Sequence, residues 1–338
     1  MTTILFPKDG ARFSLQNDRQ KTFAALRVCE GEERQKKLDW LKLERSNNAD
    51  CTFPEKIIVT FETDQSDPVL LLSESEFMTS AEAFPTENGT AVLNNLKVNT
   101  RYFIKVADST VVSFTTEDEA PRWMEVDGLS NIRDAGGWKT EDGRHIRQGC
   151  IYRGGEMDTH QTITEKGIRM IRESLKIRTD LDLRGEAVGR VTESPAGADI
   201  NFVLIPTAAY KDVIEQDQNH HETLRRLFEL FADETAYPIY YHCWGGADRT
   251  GTIAFLLGAV LGVPEDDLIL DYELTSLSIW GGRSHTGEYS APFFEKFQTF
   301  GSTAKERAEN VLRCAGVTDE TIARLRANLI EDDPRRRA

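Results

Sequence analysis

A nine-residue segment of the chain contains the residue types that the transfer of a phosphoryl group requires. Residues 243–251 read CWGGADRTG, and His242 stands directly before them. The transferred group carries its charge on three equatorial oxygens, so its site needs several donors that converge on one point opposite a nucleophile. Cys243 can supply the nucleophile, and Arg249 can supply a bidentate guanidinium to the same oxygens.

The backbone of this segment can supply the remaining donors. Its N–H groups can curl around the oxygens, its glycines allow close approach, and the helix after it adds its dipole. The predicted phosphate-binding residues are Trp244, Gly245, Gly246, Ala247 and Arg249. These positive surroundings favour the thiolate of Cys243, whose in-line attack gives a phosphocysteine. Thr250 can donate its hydroxyl to the thiolate when phosphate leaves, and His242 can brace the loop through its ring N–H.

A general acid is the third requirement, because the leaving oxygen needs a proton and a water molecule must later be activated. Asp248, within the loop, is the first candidate, and Asp212, Asp182 and Asp134 are the alternatives. A carboxylate at the start of a helix is favourable in any case, so helix capping competes with catalysis as the explanation of Asp248.

Three further features can belong to the pocket or to the fold alone. Arg133 and Asp134 precede two glycines, where Asp134 can hold a tight turn or line the pocket wall. Arg184 comes after a predicted strand and can orient the loop by a salt bridge. Residues 280–289 are rich in glycine and polar groups, so they form either a mobile flap over the site or an ordinary surface loop.

The loop needs a strand before it and a helix after it. Residues 239–242 are short and apolar, and residues 249–262 are helical in pattern and nearly all apolar, so both elements are predicted to be central. Further helices are predicted at 164–174 and 221–232, and further strands at 177–183 and 202–205. The sequence therefore predicts an α/β domain over residues 119–338, with a central mixed or parallel sheet flanked by helices.

Residues 1–118 show a different pattern, in which alternating apolar segments are separated by polar turns. The pattern predicts an all-β sandwich with a helical insertion near residues 31–45. In LKVNTRYFIKV, the placing of Leu96, Thr100 and Tyr102 resembles the tyrosine-corner segment of fibronectin type III domains. We therefore expect a fibronectin III-like domain. The alternative is that Tyr102 is merely a half-buried aromatic residue of a strand.

Composition and charge disfavour several classes of function. The net charge of -15 disfavours nucleic acid, whose binding rests on Lys and Arg side chains that neutralise phosphates. The five cysteines show no CxxC or Cys/His spacing, so reduced thiols are predicted, and neither a metal nor another cofactor. The longest apolar run, 253–263, is too short to cross a bilayer, and the amino terminus lacks a signal-peptide pattern. The expected location is the cytoplasm.

Together with its preceding histidine, the loop HCWGGADRTG resembles the signature loop of the protein tyrosine phosphatase superfamily. It is similar to the branch of bacterial tyrosine and lipid phosphatases whose loop reads HCxxGxDRTG. Supporting segments are 131–137 (NIRDAGG), 152–155 (YRGG), 182–184 (DLR), 271–275 (DYELT) and the closing 312–329. The resemblance spans about residues 120–332. It implies hydrolysis of phosphate monoesters without a metal or cofactor, through a phosphocysteine.

The sequence departs from the family pattern at three places. Asp248 stands where the protein-specific tyrosine phosphatases carry glycine, which favours the lipid-type branch. Ala247 stands where several close relatives have a lysine that can recognise an extra phosphate on an inositol ring, and this puts phosphoinositide specificity in doubt. Residues 207–209 (TAA) stand where many members carry the general acid on a mobile loop, which is why Asp248 is the first candidate.

The sequence supports four hypotheses for function. The first is a phosphatase of phosphotyrosine proteins, with dual specificity as a variant, and phosphoinositides or soluble inositol phosphates are the alternative substrates. The second is a phosphate-binding pseudophosphatase, which a missing Cys243 or Arg249 would favour, although both are present. The third is that the amino-terminal β domain binds a partner and makes adhesion or targeting the chief function. The fourth is a rhodanese-like sulfur transferase, which would not need Arg249 with Thr-Gly after it.

Overall fold

The computed structural model describes residues 1–26, 31–46 and 50–331. Contacts define two units, which are Met1–Asn17 with Pro54–Trp123, and Asp18–Phe53 with Met124–Ala338. Residues 18–53, which the sequence-based division placed in the first domain, therefore group with the second unit. Along the sequence, residues 1–17 belong to the first unit, 18–53 to the second, 54–123 to the first and 124–338 to the second.

Among its described residues, the first unit consists of strands in two sheets. The strands are β1 (Thr3–Phe6), β2 (Ala11–Phe13), β3 (Ile57–Glu62), β4 (Leu70–Ser73), β5 (Glu82–Phe84), β6 (Thr90–Leu93), β7 (Arg101–Val106) and β8 (Val112–Thr116). One sheet is antiparallel and has the order β1-β3-β6. The other has the order β2-β8-β7-β4-β5, in which β2 and β8 are parallel and the remaining pairs antiparallel.

Alternating apolar residues of both sheets form one core in this unit, because successive side chains of a strand point to opposite faces. Buried examples are Ile57, Val59 and Phe61 in β3, and Tyr102, Ile104 and Val106 in β7. Tyr102 is 4% exposed, and its hydroxyl accepts the backbone N–H of Lys97 at 2.8 Å. Tyr102 is therefore fully buried, and the alternative of a half-buried aromatic residue is wrong.

The second unit combines helices with one five-stranded sheet. Its strands are β9 (Arg133–Asp134), β10 (Ile151–Gly154), β11 (Thr179–Asp182), β12 (Asn201–Leu204) and β13 (Ile239–His242). Its helices are α1 (Asp18–Ala25), α2 (Gly31–Ser46), α3 (Glu165–Arg169, continued by a π-helical turn, Met170–Ser174), α4 (Lys211–Ile214), α5 (Gln218–Phe231), α6 (Asp248–Leu261), α7 (Glu265–Glu273), α8 (Ala291–Gln298), α9 (Ala304–Cys314) and α10 (Asp319–Leu329). Short 3₁₀ helices cover Gly185–Ala187, Glu234–Ala236 and Leu274–Leu277.

The sheet of the second unit is mixed and has the order β12-β11-β13-β10-β9. All its pairs are parallel except β9–β10. This confirms the predicted α/β class with a mixed sheet. The strand predicted at 239–242 is β13, which lies in the middle of the sheet and is buried along its whole length. The helix predicted next is α6, most of which is also buried.

Parallel strands bring their carboxyl ends to one edge of the sheet, and in such sheets ligands bind at that edge. Four neighbouring strands end at this edge, and the residues next in the chain are Gly155 after β10, Cys243 after β13, Leu183 after β11 and Ile205 after β12. The candidate loop therefore starts at the centre of this edge. Among the described helices, none combines the length and the apolar character needed to cross a bilayer.

Candidate functional site

The loop between β13 and α6 presents backbone donors that no other described residue uses. Cys243 comes directly after β13 and is 3% exposed. None of the backbone N–H groups of residues 244–249 donates to an acceptor in the part of the chain that the structure describes. Helix α6 begins at Asp248 without a side-chain cap. A helix N-terminus with unused N–H groups is a binding site for an anion.

The carbonyl groups of the loop turn outward and are held by three other segments. Trp244 O accepts the N–H of Glu156 at 3.0 Å. Gly245 O accepts the side-chain amide of Asn131 at 2.8 Å, and Gly246 O accepts Nη2 of Arg153 at 2.9 Å. In a trans peptide the carbonyl and the next N–H point in opposite directions. The outward carbonyls therefore turn the N–H groups of residues 245–247 toward the inside of the loop.

The two loop glycines are required by close packing. A Cβ on Gly245 would lie 2.7 Å from the ring of Trp280, and a Cβ on Gly246 would lie 2.5 Å from the carbonyl of Gly154. Gly246 also has a φ of +65°, in the left-handed region that favours glycine. The loop can thus approach both β10 and the segment around Trp280 only without side chains at these positions.

A buried ion-pair cluster holds Arg153, the residue that donates to the carbonyl of Gly246. Asp271 on α7 pairs with Nε of Arg133 at 3.1 Å and with Nη1 of Arg153 at 2.5 Å. Both arginine side chains are almost completely buried, at 0% and 1% exposure. Asn131, Arg153 and Asp271 were not among the predicted site residues. All three stand in the supporting segments NIRDAGG, YRGG and DYELT, so the family resemblance could have found them.

Arg249 stands at the loop with a carboxylate as its partner. Its Nη1 lies 2.8 Å from Oε2 of Glu186, in the 3₁₀ turn after β11, and its guanidinium lies 5.6 Å from the centroid of the Trp244 ring. Burial acts to raise the pKa of Glu186, but the hydrogen bond and charge of Arg249, a backbone hydrogen bond and the charge of Arg184 together outweigh it, and the pKa lies below the ordinary value. An incoming phosphate would offer Arg249 a stronger, bidentate acceptor at the same place.

Asp248 is fixed by two groups from distant segments. Its Oδ1 accepts the hydroxyl of Tyr210 at 2.6 Å and Nε of Arg283 at 2.8 Å, and its Oδ2 accepts Nη2 of Arg283 at 2.9 Å. Burial acts to raise the pKa of Asp248, whereas the hydrogen bonds from Arg283 and Tyr210 lower it, and the pKa lies below its ordinary value. Its oxygens bond no helix N–H among the described residues, but Asp248 stands in the first turn of α6, where a negative charge is favourable.

Two of the alternative acids have structural partners away from the loop. Asp134 is 1% exposed, and its two oxygens accept the N–H groups of Gly136 at 2.8 Å and Gly149 at 2.7 Å. It therefore holds the turn after β9. Asp182 pairs with Arg184 at 2.8 Å. Arg184 also contacts Asp158 at 2.7 Å and the carboxylate of Glu156, and the backbone N–H of Glu156 in turn bonds the loop carbonyl of Trp244.

Asp212, the third alternative, is a buried carboxyl group with a raised pKa. It is 1% exposed, its Oδ2 accepts the N–H of Ala208 at 2.9 Å, and burial raises its pKa to about 7. Among the described residues, however, no hydrogen bond or ion pair joins Asp212 to the loop 243–249. Its neighbours Glu215, Asp217 and His220 have possible metal-ligand atoms within 4.8 Å of one another. The first two are exposed, and exposed acidic groups alone do not make a metal site.

His242 and Thr250 flank the loop and differ in their contacts. His242 is buried, and its Nε2 lies 2.9 Å from Oδ1 of Asp180 on β11. Its ring therefore bonds the neighbouring strand, and the predicted bond to the loop is absent from the described contacts. Thr250 is also fully buried, and its hydroxyl has no hydrogen-bond partner among the described residues. That hydroxyl is available to a thiolate or to phosphate.

The segment 280–289 contributes two side chains to the loop that were not predicted. Trp280 packs against Gly245, and Arg283 binds Asp248. Hydrogen bonds join Ser276 Oγ to the N–H of Arg283 at 2.8 Å and to its carbonyl at 3.0 Å. Further along, Oε1 of Glu273 accepts the N–H of His285 at 3.0 Å. The segment is thus hydrogen-bonded near Trp280 and Arg283, and no sequence signal distinguished Arg283 from other arginines.

A family model and two known proteins match parts of this chain. A family model described as "Tyrosine phosphatase family" matches residues 124–331. A protein of Cupriavidus necator named "putative tyrosine-protein phosphatase" is 28% identical over 179 residues, which cover 44% of this chain and 61% of the relative, so the chain spans about three fifths of that relative's length. The core catalytic domain of the PP-IP phosphatase SIW14 from S. cerevisiae, solved with citrate, aligns with 41% of this chain and 78% of its own at 15% identity and a TM-score of 0.29. Because the family model covers more than half of the sequence, including the whole loop 243–251, the chain belongs to the tyrosine phosphatase family.

Proposed function

We propose that this chain hydrolyses phosphate monoesters, without a metal ion, through a phosphocysteine on Cys243. The observation that carries the proposal is the run of unused N–H groups at residues 244–249, because the outward carbonyls of residues 244–246 turn the N–H groups of residues 245–247 toward the inside of the loop that starts at Cys243. Such preorganised donors stabilise the charge that develops on the transferred phosphoryl group. Family membership supports the same chemistry.

Each loop residue has a part in the proposed reaction. The thiolate of Cys243 attacks phosphorus in line, the P–S bond forms, and the bond from phosphorus to the ester oxygen breaks. The leaving oxygen takes a proton from Asp248, while Arg249 exchanges Glu186 for the phosphate oxygens. Water then attacks phosphorus and gives its proton to Asp248, and the P–S bond breaks. Thr250 donates its hydroxyl to the thiolate that is released.

Asp248 is the proposed acid and base because it lies in the loop itself. It is ionised in the ligand-free protein, which suits the second step, and a dianionic phosphate beside it would favour the protonated form that the first step needs. Asp212 has the more suitable pKa, near 7, but lacks a described link to the loop. Asp212→Asn is therefore the control for Asp248→Asn.

The proposed substrates are phosphotyrosine-containing proteins. The supporting observation is an aromatic surface beside the loop, where Trp244 is 40% exposed and the ring of His160 lies 4.7 Å from it. A phenyl ring can stack on such a surface, and aromatic pairs prefer centroid separations of about 4.5–7 Å. Phosphoinositides and inositol phosphates are the alternative, because Asp248 fits the pattern of the lipid-type branch. A second basic group at the position of Ala247 would support them, and it is lacking.

We also infer that the first unit is a fibronectin III-like partner-binding domain. The two sheets, ordered β1-β3-β6 and β2-β8-β7-β4-β5, support this, together with the hydroxyl of Tyr102, which bonds backbone upstream of its own strand. An experimental structure with a different sheet order would contradict the fold. Partner binding is tested by substituting exposed residues of this unit and measuring the affinity for a phosphorylated substrate protein, which is the first probe. A loss of affinity would support the binding role.

The test of function is the hydrolysis of para-nitrophenyl phosphate in the presence of a chelator. We expect the native chain to be active, Cys243→Ser to be inactive, and Asp248→Asn to lose about 10²–10⁴-fold in kcat. Asp212→Asn should retain most of the activity. If Asp212→Asn instead loses more activity than Asp248→Asn, Asp212 is the acid. An inactive native chain that still binds vanadate would indicate a pseudophosphatase, and an active Cys243→Ser would contradict the mechanism. A panel of phosphopeptides and inositol phosphates then ranks the substrates.

A further inference from the structure

The segment 280–289 reaches the candidate acid by a side chain that the reaction does not otherwise use. Arg283 makes two hydrogen bonds to Asp248, one to each carboxylate oxygen, at 2.8 and 2.9 Å. This bidentate arrangement is the strongest that arginine makes with a carboxylate, and it fixes orientation as well as charge. The Arg283 and Asp248 side chains are 26% and 41% exposed, so the pair is partly shielded from water.

The groups that face Asp248 come from several elements. Arg283 lies in the segment before α8, and Tyr210 lies in the turn before α4. The Tyr210 hydroxyl is also 2.6 Å from the hydroxyl of Tyr272 on α7. Arg249, which follows Asp248 on α6, adds a positive charge. Three of these neighbours donate to Asp248 or carry positive charge, so the surroundings favour its ionised form.

The position of Arg283 is itself determined by the fold. Ser276 bonds both the N–H and the carbonyl of Arg283, at 2.8 and 3.0 Å, and thus fixes its backbone. On the loop side, Trp280 packs so closely on Gly245 that a single added methyl group would collide with it. The segment is therefore seated on the loop that carries Asp248 before any substrate is present.

We propose that Arg283 is a positioning residue for the acid–base step: from the segment 280–289 it holds the carboxylate of Asp248 in one orientation and in its ionised form, and Tyr210 supports the same carboxylate through its hydroxyl. This inference rests on the proposed function, in which Asp248 protonates the leaving group and then accepts a proton from water. The ionised form is the one that the second step requires. Arg283 acts through Asp248 and does not bind the scissile phosphate.

The first test is independent of turnover. In the full chain, the carboxyl carbon of Asp248 is titrated by ¹³C NMR, with Asp248→Asn to assign its signal. Arg283→Met should raise the pKa of Asp248 by about 1–3 units, because an adjacent arginine lowers a carboxyl pKa by that amount. Arg283→Lys should restore part of the shift, and Tyr210→Phe should give a smaller rise. Arg313→Met, which removes an exposed arginine paired with Glu309 and Asp319, is the matched control and should give none.

The second test uses the pH dependence of kcat/KM. At high pH kcat/KM should fall, because Asp248 loses the proton that the leaving group needs. This fall should occur at higher pH in Arg283→Met and should be absent in Asp248→Asn. In the Asp248→Asn background, Arg283→Met should change kcat/KM by a factor of less than about two, because its route of action has been removed. Thermal unfolding and binding of vanadate show whether each variant is folded.

Two results would overturn the inference. One is a carboxyl titration of Asp248 that is the same in Arg283→Met as in the native chain. The other is a loss of kcat/KM from Arg283→Met that is equal in the native chain and in Asp248→Asn and that appears mainly as a higher KM. This result would make Arg283 a substrate-binding residue. Failure of the proposed function is distinguishable, because it appears as an inactive native chain or an active Cys243→Ser while the NMR titration still decides the role of Arg283.

Discussion

At the scale of the residue, the charged groups around the loop are paired with one another before any phosphate is present. Arg249 pairs with Glu186, Asp248 with Arg283, and His242 with Asp180. Charges that are largely removed from water need partners, because an unpaired buried charge is very unfavourable. In the proposed function, phosphate would replace Glu186 as the partner of Arg249, and the Glu186 side chain, which is already 46% exposed, would be left to solvent.

The pair between His242 and Asp180 makes stability depend on pH. Burial acts to lower the pKa of His242, but Asp180 outweighs burial and raises it to about 8, from an ordinary value of 6.5. A group with a raised pKa holds its proton more tightly in the folded state, so its stabilisation is complete below about pH 6.5 and is lost as the pH rises through about 8. The shift corresponds to about 2 kcal/mol.

We expect Asp180→Asn to destabilise the fold most at pH 6 and progressively less toward pH 9. The difference in the free energy of unfolding from the native chain, measured by urea denaturation, should shrink by about 2 kcal/mol over this range. The control is Asn310→Ala, which removes a side-chain amide that donates to the carbonyl of Phe300 and changes no titratable group, so its difference should stay constant. If the difference in the free energy of unfolding for Asp180→Asn is also independent of pH, Asp180 does not stabilise the protonated form of His242.

At the scale of the element, the loop is shaped by donors from segments that precede it in the chain. Asn131 lies before β9, Arg153 lies on β10 and Glu156 lies just after it, and each donates to one loop carbonyl. The strand order places β10 directly beside β13, which is what allows Arg153 to reach Gly246. The shape and the donor direction of the loop are thus properties of the sheet as much as of the loop sequence.

We expect Arg153→Met to destabilise the fold by about 3–5 kcal/mol, since it leaves a buried ion pair with Asp271 broken and Gly246 O without its donor. Phosphate binding should weaken with it, because the N–H groups lose their fixed direction. The control is Arg144→Met, which removes an exposed pair with Asp142 and should alter stability by less than about 1 kcal/mol. Urea denaturation and vanadate titration measure both effects, and equal losses in the two variants would contradict the bracing role.

At the scale of the whole molecule, residues that lie early in the chain help to build the site of the second unit. Thr52 is fully buried, and its hydroxyl accepts the N–H of Asn131 at 2.9 Å, while the side chain of Asn131 holds Gly245. Close by, the N–H of Cys51 donates to Leu277 O at 3.0 Å. A fragment that starts at residue 119 would lack these contacts, so we expect it to be less stable than a fragment that also contains residues 18–53.

We expect Thr52→Val to lower the free energy of unfolding by about 1–3 kcal/mol, because the buried N–H of Asn131 loses its acceptor. The activity should fall as well, since Asn131 orients the carbonyl of Gly245. Thr52→Ser keeps the hydroxyl and should stay close to the native chain in both measurements. If the valine and serine variants unfold at the same urea concentration, the hydroxyl has no role in the site.

The sequence alone predicted the chemistry that we propose, because that chemistry depends on residues that are consecutive in the chain. The strand at 239–242, the loop with Cys243 and Arg249 and the helix after it are one local unit, and its pattern predicted both the elements and the family. The alternation of strands and helices likewise predicted the α/β class.

Only the tertiary structure decided which distant groups meet that loop. The partners Asn131, Arg153 and Arg283 stand 114, 93 and 35 residues away from the loop residues they bond, and their contacts depend on strand order and on the seating of the segment 280–289. The same holds for residues 18–53, which group with the second unit although they interrupt the first in sequence. Periodicity and spacing record local conformation, whereas long-range pairing results from packing that no short stretch of sequence contains.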